Sequence, residues 1–169
     1  INCGFAAALL AHVGLATIPL IKFGTEEQKK TYLGPALRGE KLGCFGLSEP
    51  NAGSDAASLR TTAERRGDHY VVNGSKMFIT NGTIADYCMV AAYTDRTRRG
   101  SGISLFIVDT KTPGSVVSRK LKKTGHHTSE TAALTFQERR IPVAPLLGGT
   151  AGGVEQATGT LERGRVTHA

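Results

Sequence analysis

Segment 46–55 (GLSEPNAGSD) groups small and hydroxyl residues around a turn, and of all segments it is the one best suited to chemistry. Ser48 and Ser54 flank this turn, where backbone N–H groups would lie close together. Such a turn can cradle an anion or the polar edge of a ring, although an ordinary Asn-Ala-Gly-Ser turn has the same composition. Taken by itself, the composition favours the ordinary turn.

Segment 77–80 (MFIT) could add an aromatic face to such a site. Side chains alternate along an extended strand, so Phe78 and Thr80 are predicted to share one face. An aromatic ring beside a hydroxyl can pack on and hydrogen-bond to a flat heteroaromatic ring, but the pair also fits a half-buried cross-strand contact. Alone, this segment is a weak indication of a binding site.

Helical elements are predicted in the first forty residues. Phe5, Leu9, Leu10 and Val13 recur at a helical spacing, which predicts an amphipathic helix with these side chains in the core. A capping box (TEEQ) then predicts a second helix over 26–33, ended by Gly34-Pro35. These helices would precede the two segments described above.

From residue 41 the hydrophobic period changes to two and turn residues become frequent. Asn73-Gly74 predicts a tight hairpin, and further strands are predicted at 87–93, 103–109, 116–121 and 131–136. At least six strands in about a hundred residues indicate a barrel or sandwich. The predicted fold class is α+β, with a mainly antiparallel β-barrel or sandwich flanked by helical segments of truncated all-α domains.

Three parts are predicted along the chain: the end of a helical domain at 1–40, a β domain at 41–147, and a hinge with the first helix of a truncated helical domain at 148–169. The chain begins without Met and its last helix has no stop signal, which predicts a fragment. No apolar run approaches the roughly 20 residues of a membrane span, so a soluble protein without membrane contact is expected.

The net charge of +7 arises entirely after residue 55 and suits a polyanionic partner. A basic module that binds nucleic acid is the rival class, but the Tyr and Phe residues show no regular stacking pattern, so no nucleic acid is expected. The three cysteines are too far apart for a disulfide framework or zinc site. His126-His127 is interpreted as a polar turn, and no metal site is predicted.

Together, the two segments and their flanks resemble the acyl-CoA dehydrogenase family of flavoproteins. Segment 46–55 matches the family pattern Gly-Leu-Ser-Glu-x-x-Ala-Gly-Ser-Asp, and 73–82 (NGSKMFITNG) follows at the family's distance. Further similar blocks lie at 23–29, 102–108, 119–121 and 140–142. The resemblance covers nearly the whole chain and rests on several motifs in the same order.

The resemblance implies FAD as cofactor and an acyl-CoA substrate. Its implied cofactor-binding residues are Phe45, Gly46, Leu47, Ser48, Gly53, Ser54, Phe78, Ile79 and Thr80. Within this set, Phe45, Leu47 and Ser48 would face the flavin's pyrimidine edge. Phe78 would pack beside the ring and Thr80 would hydrogen-bond its N5 atom. The implied substrate-binding residues are Ser54, Glu162 and Arg165.

The implied reaction is α,β-dehydrogenation of an acyl-CoA thioester in fatty acid β-oxidation, with the β-hydride passing to flavin N5. No catalytic residue is predicted in this chain, because Gly164 stands where one branch of the family has its glutamate. The base would lie in a missing C-terminal domain. An acyl-CoA oxidase, or another flavoenzyme of the same fold, is the alternative.

The resemblance also implies an electron-transfer flavoprotein as electron acceptor and a homotetrameric parent protein. The expected location is the cytoplasm, or the mitochondrial matrix if the source is eukaryotic.

Overall fold

Two helical segments pack against an eight-stranded mixed sheet in the computed structural model, which describes residues 2–112, 114–149 and 159. Helix α1 spans Cys3–Phe23 and contains a π-helical stretch at Ala11–Thr17. Helix α2 spans 26–37 and contains a second π-helical stretch at Lys29–Leu33. The fold confirms the predicted α+β class.

The α2 helix begins as predicted but ends one turn later. The Thr25 hydroxyl and the Gln28 side chain form the capping box. The helix does not stop at Gly34-Pro35, because the wider π-helical turn bonds the Gly34 N–H to the Lys29 carbonyl, five residues back. That shift gives the Pro35 ring room in the last turn, Gly34–Leu37.

The face that α1 buries differs from the predicted face. Phe5, Leu9 and Val13 are about half exposed or more in this chain. Small residues such as Ala16 face the sheet instead, and a Cβ atom added to Gly43 would lie 2.6 Å from the Ala16 Cβ atom. Helix and strand therefore approach closely along small residues, a preference that the spacing of the larger apolar residues does not reveal.

The length of α1 corrects the expectation about membrane spans. With 21 residues, it is long and apolar enough to cross a membrane by length and composition alone. It is one such helix among the described residues, and a core helix of a soluble protein passes the same test. Here Ala16 and Leu20 of α1 are fully buried in a core cluster with Phe45 of the sheet.

The strands of the sheet are β1 Gly43–Gly46, β2 Thr62–Arg66, β3 His69–Thr80, β4 Tyr87–Tyr93, β5 Ile103–Asp109, β6 Ser115–Lys120, β7 Thr131–Pro142 and β8 Leu146–Leu147. Their order in the sheet is β6-β7-β3-β2-β4-β5-β8, with β1 paired to β4. Most pairings are antiparallel, while β1 and β2 pair with β4 in parallel. The bounds of β4 and β5 match the prediction.

The hairpin predicted at Asn73-Gly74 is wrong. β3 continues through these residues, and the hairpin joins β2 to β3 around Gly67, which has a φ of 65°. Gly74 lies at a register shift between β3 and β7, and a Cβ atom there would lie 2.7 Å from the Thr61 Cα atom. Asn-Gly therefore marks an irregularity where another backbone passes close, and not a turn.

Two core clusters lie on opposite faces of β4 and β5. Met89 and Leu105 belong to the cluster beneath the helices, whereas Val90 and Phe106 belong to a second cluster with Leu134 of β7. Because side chains alternate along a strand, both faces of β4–β5 are covered. The β3–β7 pair therefore packs over the face that the helices leave open, and the end of β3 lies close to β1.

Candidate functional site

A groove with a volume of about 330 Å³ lies where α1, the end of β1 and the end of β3 meet. Its lining residues are Ala11, Leu15, Phe45, Leu47, Ser48, Gly53, Ser54, Phe78, Ile79 and Thr80. The groove thus combines apolar side chains, three hydroxyl groups and two phenylalanines, of which Phe78 is exposed. None of these lining residues is acidic or basic, which suits a flat ligand with polar edges more than a small ion.

One wall of the groove is the segment that follows β1. The side chains of Phe45 and Leu47 are buried in the cluster beneath the helices, so mainly their backbones remain for a ligand. Beyond them the chain makes a tight turn in which Glu49 and Ala52 exchange two backbone hydrogen bonds of 2.8 and 3.2 Å. This turn brings Ser54 to the exposed rim of the groove.

The other wall is an irregular end of β3. The pairing of β3 with β7 shifts between Lys76 and Ile79, and Phe78 adopts a φ of 62°. This conformation is strained for a bulky residue, and strained residues concentrate at functional sites. Phe78 is 69% exposed, whereas Ile79 is buried and Thr80 is half-buried. Phe78 and Thr80 both line the groove, but β3 is irregular here, so the regular alternation from which a shared face was predicted does not hold.

Behind the two walls lies a buried ion pair that the sequence reasoning did not single out. The Lys76 ammonium is fully buried and lies 2.8 Å from the Glu49 carboxylate. That carboxylate also accepts hydrogen bonds from the backbone N–H groups of Arg60 and Thr61 and from the Thr61 hydroxyl. Both charges are thus paired and hydrogen-bonded, as burial of a charge requires.

The two charged groups respond to burial in different ways. Burial alone would raise the pKa of Glu49, but the Lys76 charge and the hydrogen bonds from Lys76, Thr61 and Arg60 outweigh burial and lower it. Burial lowers the pKa of Lys76 more than the Glu49 carboxylate raises it. The carboxylate is the better satisfied partner, because it has three further hydrogen-bond donors.

The predicted cofactor residues come together in this groove, with one exception. Gly46 lies behind the lining, where a Cβ atom would lie 3.1 Å from the Cys88 Sγ atom and 3.4 Å from the Lys76 Cγ atom. The predicted substrate residues Glu162 and Arg165 lie outside the described residues. The assignment of individual residues to FAD and substrate, and the division at 1–40, 41–147 and 148–169, stay predictions.

Ala11, Leu15, Lys76 and Glu49 are the residues of the site that sequence reasoning missed. A lysine between the apolar strand residues Val72 and Ile79 was the available signal for the ion pair. Glu49 was visible as the acidic residue of the first segment. Its partner could not be inferred, because the two residues are 27 positions apart.

These features define a domain that can hold a flat molecule with polar edges between a helix and a β-sheet. Models of the acyl-CoA dehydrogenase N-terminal domain and middle domain match residues 1–40 and 44–138. The chain belongs to the acyl-CoA dehydrogenase family.

Relatives and solved structures agree with this assignment. The chain is 43% identical over 165 residues to the short-chain-specific acyl-CoA dehydrogenase of Clostridium acetobutylicum, covering 97% of this chain and 44% of that protein. It matches butyryl-CoA dehydrogenase from Megasphaera elsdenii with a TM-score of 0.96 and 44% identity, covering 98% of this chain and 43% of that one.

A third match is a chain in the solved structure described as the electron transferring flavoprotein of Acidaminococcus fermentans. The TM-score is 0.96 and the identity 44%, with 98% of this chain and 44% of that chain covered. The chain thus spans less than half the length of the relatives it matches.

Proposed function

We propose that this chain is part of an FAD-dependent acyl-CoA dehydrogenase and contributes the groove that holds the flavin ring. The observation that carries this proposal is the meeting of segments 45–54 and 78–80 in one groove. They are separated in sequence and carry the two strongest family motifs. Their lining of apolar surface, hydroxyls and one exposed aromatic ring fits a flat, polar-edged ring system.

In this proposal each wall has a separate task. The backbone of Phe45 and Leu47 and the Ser48 hydroxyl would face the pyrimidine edge of the flavin. Phe78 would pack beside the ring, and the Thr80 hydroxyl would donate or accept a hydrogen bond at N5. Gly53 and Ser54, at the exposed rim, would contact the phosphate-bearing parts of cofactor and substrate. FAD, when bound, would supply the hydride acceptor.

The chain's own residues would bind and orient, and we assign none of them to proton abstraction. The groove lining contains no carboxylate, and Gly164 offers no side chain that could act as a base. We therefore propose that the base belongs to a part of the parent protein outside this chain. Glu162 and Arg165 remain proposed contacts to the acyl-CoA.

The substrate class proposed is a short-chain acyl-CoA, because several relatives are named for short chains or for butyryl-CoA. An electron-transfer flavoprotein is the proposed acceptor and a homotetramer the proposed assembly. An acyl-CoA oxidase of the same fold remains the alternative. Hydrogen peroxide yield with and without an electron-transfer partner distinguishes the two, since an oxidase reduces oxygen without the partner.

The test uses the full-length parent protein under anaerobic conditions. We expect the visible flavin absorbance to bleach on addition of butyryl-CoA, and less with octanoyl- or palmitoyl-CoA. The Thr80→Val variant should weaken FAD binding or slow bleaching at least tenfold. Thr83→Val is the matched control, because the Thr83 hydroxyl bonds to Glu130 and is not among the groove-lining residues. A parent protein that binds no flavin would contradict the proposal.

A further inference from the structure

Two consecutive residues of β3, Lys76 and Met77, donate hydrogen bonds to two consecutive carbonyl groups of the opposite groove wall. The Lys76 Nζ atom donates a hydrogen bond of 3.1 Å to the Leu47 carbonyl. The Met77 backbone N–H donates one of 2.8 Å to the Ser48 carbonyl. The two walls of the groove are thereby joined to each other directly behind the lining residues.

The irregular end of β3 follows from the same contacts. The Met77 N–H bonds to Ser48 and not to β7, and the pairing with β7 is interrupted between Lys76 and Ile79. An extra residue in one strand bends it and redirects a side chain, which here is the exposed Phe78 ring. The link between the walls and the exposure of Phe78 are therefore parts of one arrangement.

Stability alone does not require a charged pair at this place. Apolar residues of similar volume often replace a buried ion pair with little loss, because desolvation offsets the attraction between the charges. A methionine could fill the volume of Lys76 but could not donate a hydrogen bond to the Leu47 carbonyl. The feature that an apolar replacement would lose is the position of the Leu47-Ser48 wall.

We infer that Lys76 and Glu49 are positioning residues that fix the Leu47-Ser48 wall against Phe78 and so set the width of the groove. Glu49 holds the ammonium in place, and its own position is fixed by Arg60 and Thr61. That the ligand in the groove is FAD rests on the proposed function; the link between the walls does not.

The experiment compares the full-length protein with the double variant Lys76→Met/Glu49→Gln, which removes both charges together. Amide hydrogen exchange is measured without added flavin, and FAD affinity and the visible circular dichroism of bound flavin are measured separately. We expect exchange in 46–54 and 76–80 to rise at least tenfold while 87–93 and 103–109 stay unchanged. We expect FAD affinity to fall at least tenfold and the flavin signal to change.

Ile141→Val is the control, because Ile141 is buried in the second cluster and is not a groove residue. It should lower stability without changing exchange in 46–54 or FAD affinity. A folded double variant with exchange and FAD affinity within twofold of the original protein would overturn the inference. An equal rise in hydrogen exchange in all strands would overturn it too, because the ion pair would then only stabilise the core.

Two further outcomes are an unfolded double variant and an original protein that binds no FAD. If the double variant does not fold, Lys76→Met alone is used with the same exchange criterion, since it removes the donor to the Leu47 carbonyl while Glu49 keeps its three other hydrogen-bond donors. If the original protein binds no FAD, the proposed function fails. The exchange measurement then still decides whether Lys76 and Glu49 fix the wall.

Discussion

The β4–β5 pair and the β3–β7 pair belong to one sheet but differ in regularity. β4 and β5 pair through seven consecutive positions, from Tyr87 with Asp109 to Tyr93 with Ile103, without a register shift. The longer β3–β7 pairing has two shifts, and the shift next to Phe78 lies in the groove. Buried residues fill β4 and nearly all of β5, whereas β3 has only five buried residues among its twelve and includes the exposed Phe78.

The difference shows where this fold separates stability from binding. A regular pair covered on both faces gains most from apolar burial, because every side chain leaves water. An irregular pair loses hydrogen bonds but can turn a side chain and a backbone group outward. The strain at Phe78 is maintained by the contacts on either side of it, because the Met77 N–H bonds to the Ser48 carbonyl and Ile79 pairs with Ala132 of β7.

The largest expected effect is a loss of stability from a change in the regular pair. Phe106 is fully buried and packs edge-on against Tyr70 at a centroid distance of 5.0 Å. Phe106→Ala should lower the free energy of unfolding by about 3–5 kcal/mol through lost burial and a cavity. Urea denaturation of the full-length protein measures the loss. FAD affinity of the folded protein should change less than threefold, and a tenfold change would show that the two regions are not separable.

A smaller effect, limited to acidic pH, is expected from Glu49. Its pKa in the folded protein lies below that of an unfolded glutamate, 4.5, so the ionised carboxylate stabilises the fold above that pH. The contribution is lost as the pH falls through the lowered pKa, with a slope of at most about 1.4 kcal/mol per pH unit.

This expectation is tested by measuring the free energy of unfolding between pH 3 and pH 7. The original protein is compared with the Lys76→Met/Glu49→Gln variant. The original protein should lose stability relative to the double variant toward acidic pH, because only the original protein loses the Glu49 contribution. Parallel pH profiles for the two proteins would contradict it.

Much of the fold could be predicted from the sequence because its signals are local. β4 and β5 are apolar runs bounded by turn residues, and both have the predicted bounds. The capping box at Thr25 and Gln28 needs four consecutive residues only. The two groove segments were found from their composition and their family motifs, which are local as well.

The parts that could not be predicted depend on contacts between distant residues. Asn73-Gly74 has the sequence of a tight turn, but Thr61 packs against Gly74 from another segment. The buried face of α1 is decided by its close approach to Gly43, and not by its largest apolar side chains. The ion pair between Lys76 and Glu49 likewise needs two segments that only the folded sheet brings together.

The smallest expected change in stability comes from the strained residue of the groove. Phe78 has a φ of 62°, which costs an L-residue about 1–2 kcal/mol, and the residue is 69% exposed. Phe78→Gly relieves this strain and loses little burial, although glycine adds about 0.5–1 kcal/mol of unfolded-chain entropy. Stability should therefore stay within about 1 kcal/mol of the original, while FAD affinity falls at least tenfold.

His126→Gly is the matched control for that variant. His126 also has a positive φ, 52°, and an exposed side chain, but it lies in the turn after β6, away from the groove. The midpoint temperature of thermal denaturation should change by a similar small amount in both variants. Only Phe78→Gly should weaken FAD binding. If Phe78→Gly instead costs more than about 2 kcal/mol, the ring supports the fold, and the separation of stability from binding fails at the residue where it should be clearest.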